Sequence, residues 1–374
     1  MKNTFGNSLT LTLFGESHGS AIGCVIDGIA PGISIDDAMI AAKLAKRRPD
    51  GETSTSRIEK DEYIIQSGVF QGHTTGTPIC IVIPNENTRS GDYSYGKARP
   101  SHADYPAYMK YHGFEDYRGG GHFSGRITAA LVAAGAILEG ALKDKGIKIG
   151  THLVRCAGIC DRGFDMNSPQ SDISYLESTA FPVLSESAAE RMKKEILLAK
   201  SRTDSVGGVL ETVVIGIEAG IGEPWFDTVE SLLSHALFSI PAVKGVEFGD
   251  GFALADMRAS FANDWYKTDG SGITTTTNHN GGICGGITNG SPLLFRCAVK
   301  PTPSIAIKQK TVDFIEKINT DIEIGGRHDP CIAPRAACVV NAVTALVIAD
   351  MLTTRFGTDY LKPEGKEEKT WSTD

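Results

Sequence analysis

Several short stretches of this chain carry side chains able to move protons or hold anions. Gly15-Glu16-Ser17-His18-Gly19 sets a carboxylate, a hydroxyl and an imidazole between two glycines. Its letters match the G-x-S-x-G turn that exposes a nucleophilic serine in α/β-hydrolases. That turn follows several strands and an oxyanion loop, whereas only residues 1–14 precede this one. Hydrolase chemistry is therefore set aside, and Ser17 and His18 are kept as a polar cluster in a turn. Arg99-Pro100-Ser101-His102-Ala103-Asp104 holds a histidine two residues from an aspartate, suited to a tuned acid or base. Gly119-Gly120-Gly121 leads into Ser124-Gly125-Arg126. Arg126 thus stands just inside a helix start, where backbone N–H groups and the helix dipole favour an anion. A glycine-rich stretch at 278–290 runs through a strand to Lys300-Pro301-Thr302-Pro303-Ser304, a set fitted to a phosphate or a planar ring. Gly325-Gly326-Arg327-His328-Asp329-Pro330-Cys331 offers Asp329 either as a helix cap or as a carboxylate presented beside Arg327.

Arginine is unevenly spread. Arg47, Arg48, Arg57, Arg89, Arg99, Arg118 and Arg126 all fall before the chain's midpoint. Their forked donors match carboxylate and phosphate oxygens. The chain as a whole is acidic, with a net charge of −8 over 374 residues, which disfavours general binding to nucleic acid or to anionic membranes. A hydrophobic share of 41% is enough for a sizeable core. No unbroken run of 18 apolar residues occurs, because 336–349 is interrupted by Asn341 and Thr344, so no membrane-spanning helix is expected. The eight cysteines form no C-x-x-C pair, and no histidines stand at H-E-x-x-H spacing, so no metal site is expected. Reduced thiols without a signal pattern point to a cytoplasmic protein. Neither a P-loop nor a G-x-G-x-x-G fingerprint is present.

The elements that must position these groups follow from the pattern. Strands are expected at 10–13, 23–27, 63–70, 78–84, 147–159 and 209–217. Ser34 with Asp37 reads as a capping box opening a helix that stops before Pro49. Ser124 is expected to cap an alanine-rich helix over 126–145 that ends at Gly146. Further helices are expected at 185–200, 228–239 and 334–355. Residues 85–121 show no period and read as one long aromatic-rich functional loop. The charged tail from Lys362 reads as disordered. Strands and helices mix without βαβ alternation, which gives an α+β class.

Taken in order, the blocks at 15–19, 99–104, 119–126, 239–251 (SIPAVKGVEFGDG), 300–302 and 326–330 resemble the chorismate synthase family across residues 5–357. The resemblance implies a single large β-α-β sandwich over 1–361, with antiparallel sheets packed on helices. It implies a carbon–oxygen lyase acting on a phosphate. The substrate would be 5-enolpyruvylshikimate 3-phosphate, converted to chorismate by 1,4-anti elimination. Reduced FMN would be required without net redox change, reduced either by NADPH or by a separate reductase. The implied assembly is a homotetramer. Carried over residue by residue, His18 would protonate the departing phosphate. His102 would supply the proton that balances reduced flavin near N1. Asp329 would assist loss of the C6 proton through flavin N5. Substrate contacts would fall on Ser17, Arg48, Arg57, Arg99 and Arg126. Flavin contacts would fall on His122, Phe123, Ser124, Pro241, Ala242, Gly285, Lys300, Pro301, Thr302, Pro303, Ser304 and Arg327. The chain departs from the family at His122-Phe123, where Arg-Ser is usual, and at Pro241, where Asn is common. The competing readings are a flavin-dependent oxidoreductase on the same scaffold and a noncatalytic module for phosphosugars or nucleotides. The joint presence of His18, His102 and Asp329 favours the lyase.

Overall fold

The computed structural model describes residues 2–49, 51–55, 60–86, 95–270, 272–325 and 328–363. Two antiparallel five-stranded sheets enclose a layer of helices. The first sheet runs Thr4–Phe5, Thr10–Gly15, Ala21–Asp27, Ile79–Pro84 and Ile64–Ser67 in spatial order. Its register sets Val25 opposite both Thr12 and Cys80. The alternating Ile22, Cys24 and Ile26, and likewise Ile79, Ile81 and Ile83, are fully buried, so one face of this sheet lies on the helices. The second sheet runs Val243–Phe248, Leu293–Val299, Gly208–Ile215, Lys148–Cys156 and Ile159–Cys160. Residues on both of its faces are buried. Helices α4 (Pro169–Ser178) and α5 (Glu186–Ser201) lie beyond it, and Phe164, Ile173 and Leu176 pack against Val213 from that side.

Between the sheets run α1 (Asp37–Arg47), α3 (Thr128–Asp144) and α8 (Ala333–Phe356). The alanines of α3 and α8 let the two backbones approach closely. At Gly135 a Cβ would overlap the Cα and Cβ of Ala342. By mean hydropathy Gly125–Asp144 and Ala333–Phe356 are long and apolar enough to cross a bilayer, although neither is an unbroken apolar run. Burial inside the fold accounts for that apolarity, since 83% and 94% of the two windows are covered by protein. A buried carboxylate of this layer is equally tied down. Asp350 of α8 is buried and accepts hydrogen bonds from the backbone N–H groups of Asn7, Ser8 and Leu9 at 2.8–3.0 Å.

Most expected elements are present, with three differences. Helix α1 is capped by Asp36, whose carboxylate accepts from Met39 N–H, while Ser34 pairs with His73 in an isolated bridge. Ser124 caps a single 3₁₀ turn, Gly125–Ile127, before α3 begins. The long loop contains a helix, α2 (Asp104–Tyr111). Its Pro106 and its aromatic residues gave no 3.6-residue period, and packing of Tyr105 and Tyr108 on Phe314 supplies what the pattern lacks. Helix α6 (Val229–Leu237) and a single turn, α7 (Ala259–Ala262), complete the set. Of the tail expected to be disordered, residues 364–374 lie outside the described residues.

Two substitutions test this layer by urea unfolding. Asp350→Ala leaves three backbone donors without their carboxylate and is expected to lower stability by about 1–3 kcal/mol. Gly135→Leu forces α3 away from α8 and is expected to cost about 1–3 kcal/mol or more. Wild-type midpoints in both variants would contradict the packing described.

Candidate functional site

The turn 15–19 is made by the first sheet's hairpin, and the three glycines 119–121 close over it. All three have positive φ, with Gly121 at φ 53° and ψ −126°, a conformation open to glycine alone. This bend carries the chain across Ser17 and His18. Ser17 N–H donates to the Gly121 carbonyl at 3.1 Å, and its hydroxyl donates to the carbonyls of Arg118 and Gly119. The His18 ring lies so close to Gly119 that a Cβ there would stand within 2.7 Å of both His18 and Ser17. Both side chains are buried. His122 Nδ1 donates to the Gly15 carbonyl at 2.7 Å, which locks the same turn from the other side.

Arg99 lies on the far side of the glycine bend, with Nη2 3.9 Å from where a Gly120 Cβ would be. Its fork is held by Asp104, Nε to Oδ2 at 2.8 Å and Nη2 to Oδ1 at 2.7 Å. His102 sits in the loop between them. Its Nδ1 donates to the Pro100 carbonyl at 3.1 Å, so Nε2 accepts from the Ser304 hydroxyl at 2.7 Å. Burial, reinforced by the charge of Arg99, pulls His102 down to about 4, and the free protein holds a neutral imidazole there. Lys300 joins the same loop through Nζ to the Ser101 carbonyl at 2.8 Å, and through its N–H to the Ala242 carbonyl at 2.9 Å. Ala242 follows Pro241 with φ 75°, a conformation uncommon for a residue with a side chain. The Thr302 hydroxyl is buried without a hydrogen-bond partner. Ser124 lies against Gly120, and the Phe123 ring is 43% exposed.

The arginines are organised by a carboxylate that the motifs did not single out. Asp61 has a fully buried side chain. One oxygen accepts from Arg47 Nη1 at 2.9 Å and the other from Arg126 Nη1. Burial alone would push Asp61 up, but Arg47 and Arg126 together hold it below the ordinary carboxylate value. Arg126 also donates to Asn85 Oδ1 at 3.1 Å and to the Pro84 carbonyl at 3.1 Å. Asn85 in turn donates to the carbonyls of Glu16 and Gly19 at 2.9 Å each, which ties the arginine frame to the His18 turn. Arg48 follows at the end of α1 with a buried Nε that has no hydrogen-bond partner. Three arginines around one carboxylate leave excess positive charge.

Asp329 does not cap α8, whose N-cap is Ile332. Its Oδ1 accepts from Thr55 N–H at 2.7 Å and its Oδ2 accepts from Arg335. The next residue, Pro330, accepts from Val206 N–H, and Ser205 donates to the Thr302 carbonyl, which links Asp329 to the 300–304 segment. A relay of hydrogen bonds and close contacts thus runs from Ser17 and His18 through the glycine bend to Arg99, His102 and Ser304, and Ser205 and Val206 link the 300–304 segment to Pro330 beside Asp329. His122 and Ser124 adjoin the glycine bend, and Ala242, after Pro241, adjoins Lys300.

The structure adds partners for two of the arginines: Asp104 engages Arg99 and Asp61 engages Arg126. Gly285 stands apart. Its neighbour Gly286 accepts from Val229 N–H at the start of α6, whereas Ala242 follows that helix's end. Within one chain, Gly285 is exposed and lies at the opposite end of the Leu293–Val299 strand from Lys300. Arg57 and Arg327 lie outside the described residues. Asp61, Asn85 and Arg335 were missed, and the run Lys60-Asp61-Glu62 reads as ordinary surface charge in the sequence. No cluster of metal-ligating side chains occurs among the described residues.

Comparison with known proteins gives a consistent result. Residues 9–353 match the family model described as chorismate synthase. The chain is 45% identical over 350 residues to a chorismate synthase of Pyrococcus abyssi, covering 93% of this chain and 96% of that protein. It is 44% identical over 353 residues to one from Thermococcus gammatolerans, covering 94% and 97%. A crystal structure of chorismate synthase superposes with a TM-score of 0.76 at 28% identity, covering 96% of both chains.

Two titrating groups give measurable consequences. Asp61→Asn leaves buried guanidiniums without their counter-charge and is expected to lower stability by about 3–5 kcal/mol in urea. His102 has a folded value below its ordinary 6.5. Its contribution to stability is therefore complete above pH 6.5 and is lost as pH falls toward 4. In the ligand-free protein, His102→Gln should flatten the fall in unfolding free energy across that window. An unchanged slope would contradict the neutral assignment.

Proposed function

Because the chain belongs to the chorismate synthase family, we propose that it converts 5-enolpyruvylshikimate 3-phosphate to chorismate and phosphate by 1,4-anti elimination. It works with reduced FMN and no net redox change, as the last step of the shikimate route to aromatic amino acids. The observation that carries this reading is the buried His18, held beside an arginine frame with excess positive charge. The substrate bears two carboxylates and a phosphate. Arg48 presents a buried, unpartnered Nε to such a ligand. Arg99 and Arg126 act through the carboxylates that aim them, and Arg57 is assigned as a further substrate contact. Ser17 and His18 face the phosphate. Proton donation from His18 Nε2 to the leaving oxygen lowers the barrier to its departure. Charge there grows in the transition state, so the same cations stabilise that state more than the ground state. Asp329 assists loss of the C6 proton.

The residues around 300–304 fit a flavin. A buried Thr302 hydroxyl without a partner, a Lys300 cation, the half-exposed Phe123 ring and the positive-φ turn at Pro241-Ala242 form a polar and planar cradle. His122, Ser124, Pro301, Pro303, Ser304 and Arg327 complete the set that would hold FMN. The chemistry supplied by bound reduced FMN is electron density toward the breaking C–O bond. His102, neutral in the free protein, gains affinity for a proton when an anionic ligand arrives beside it. It can thereby balance the charge of the reduced cofactor.

Residues 1–361 act as one catalytic unit in this reading. A homotetramer is supported by exposed aromatic side chains: Trp225, Phe226, Phe252, Phe261 and Trp265 are each 66–92% exposed, and subunit contacts would remove such rings from water. All eight cysteines are unpaired, which supports a reducing cytoplasmic setting.

Anaerobic incubation with substrate and dithionite-reduced FMN should release phosphate and chorismate in equal amounts. His18→Ala and His102→Ala should each slow turnover by about 10²–10⁴-fold with flavin still bound. No phosphate from the wild type would defeat the function, and near-normal rates in both variants would defeat the roles. An aerobic assay with NADPH and oxidised FMN distinguishes intrinsic flavin reduction from dependence on a separate reductase.

A further inference from the structure

Asp329 stands on an irregular segment just before α8, and among the described residues its carboxylate is held by groups outside that segment. Oδ1 is held by Thr55 N–H, on a loop that Lys200 Nζ pins by donating to the carbonyls of Gly51, Glu52 and Ser54. Oδ2 is held by Arg335 Nη1. The same guanidinium turns its Nε to the Arg47 carbonyl at 2.7 Å, at the end of α1 from which Arg47 and Arg48 project. One planar group therefore joins the carboxylate, the arginine frame and the first turn of the longest core helix.

Helix position alone does not favour this arrangement, since Arg335 lies in the first turn of α8, where a cation opposes the helix dipole. The two side chains are only 19% and 12% exposed, so losing the pair would also cost stability, and a role in catalysis must show in kcat with the fold intact. We propose that Arg335 is a positioning residue. It orients the Asp329 carboxylate for loss of the substrate's C6 proton, and it keeps that carboxylate in register with the anion-holding arginines. This rests on the lyase reading above.

The fork geometry makes the inference testable in the FMN-loaded enzyme. Arg335→Gln removes the charge, and it cannot hold both acceptors in one plane. Its kcat is expected to fall about 10²-fold, the scale of a misplacement near 1 Å. KM for substrate should stay within about threefold, because binding in ground and transition states is lost only for the latter. With substrate deuterated at C6, the isotope effect on kcat should rise, since proton loss becomes more rate-limiting. Arg335→Lys restores the charge at a single point and should recover part of the loss. Bound flavin and the thermal midpoint are measured alongside, and if the Gln variant does not fold, the Lys variant decides. Three results would overturn the proposal: an unchanged isotope effect with activity tracking bound flavin, a loss appearing mainly in KM, or a wild-type kcat in both variants. A wild type that releases no phosphate fails at the earlier step, and removes the lyase reading together with this proposal.

Discussion

The site depends on one buried carboxylate. Asp61 has no exposed side-chain surface and receives Arg47 on one oxygen and Arg126 on the other. Without it, desolvation and mutual repulsion would both oppose holding two guanidiniums this deep and this close together. With it, Arg126 becomes a strut rather than a free ligand. It reaches Asn85 and the Pro84 carbonyl, and Asn85 fixes the backbone around His18. Arg47 extends the frame the other way, through its carbonyl to Arg335 and so to Asp329. The acid and the carboxylate proposed for the two ends of the reaction thus hang on a single ionic frame.

The fold serves that frame by fixing where its parts begin. Helix α1 ends at Arg47, α3 begins just after Arg126, and α8 begins just before Arg335. These three helices form the layer between the sheets, packed through alanine and glycine at the close crossing of α3 and α8. Loops from the two sheets then meet over the helix ends. The first sheet contributes the turn 15–19 and Asn85, and the second contributes Pro241-Ala242 and 300–304. Rigid elements supply the origin of each loop, and short hydrogen bonds between loops supply the final placement.

Much of this was legible in the sequence because it followed from local rules. Period-2 apolar runs marked most of the strands, alanine-rich stretches marked α3 and α8, and the clustered glycines at 119–121 marked a bend that only glycine can make. Order along the chain then pointed to a family. What was not legible depends on partners distant in sequence. Asp61 meets Arg126 across 65 positions, and Asp329 meets Thr55 across 274. No window contains both members of such a pair. Helix α2 was hidden for a related reason, since its aromatic residues pack on Phe314 of the 309–322 hairpin rather than following a period of their own. The carboxylates that hold Arg99 and Arg126 were likewise not legible, because composition counts cations without showing their partners.

The most direct measurement is a crystal structure of the ternary complex with oxidised FMN and 5-enolpyruvylshikimate 3-phosphate. The account places the substrate phosphate against His18 and Ser17, with Arg48 Nε satisfied by a substrate oxygen and the flavin against His102 and the 300–304 segment. Asp61 should still bridge Arg47 and Arg126. Substrate bound away from His18, or an Arg126 released from Asp61 to take a substrate carboxylate directly, would contradict it.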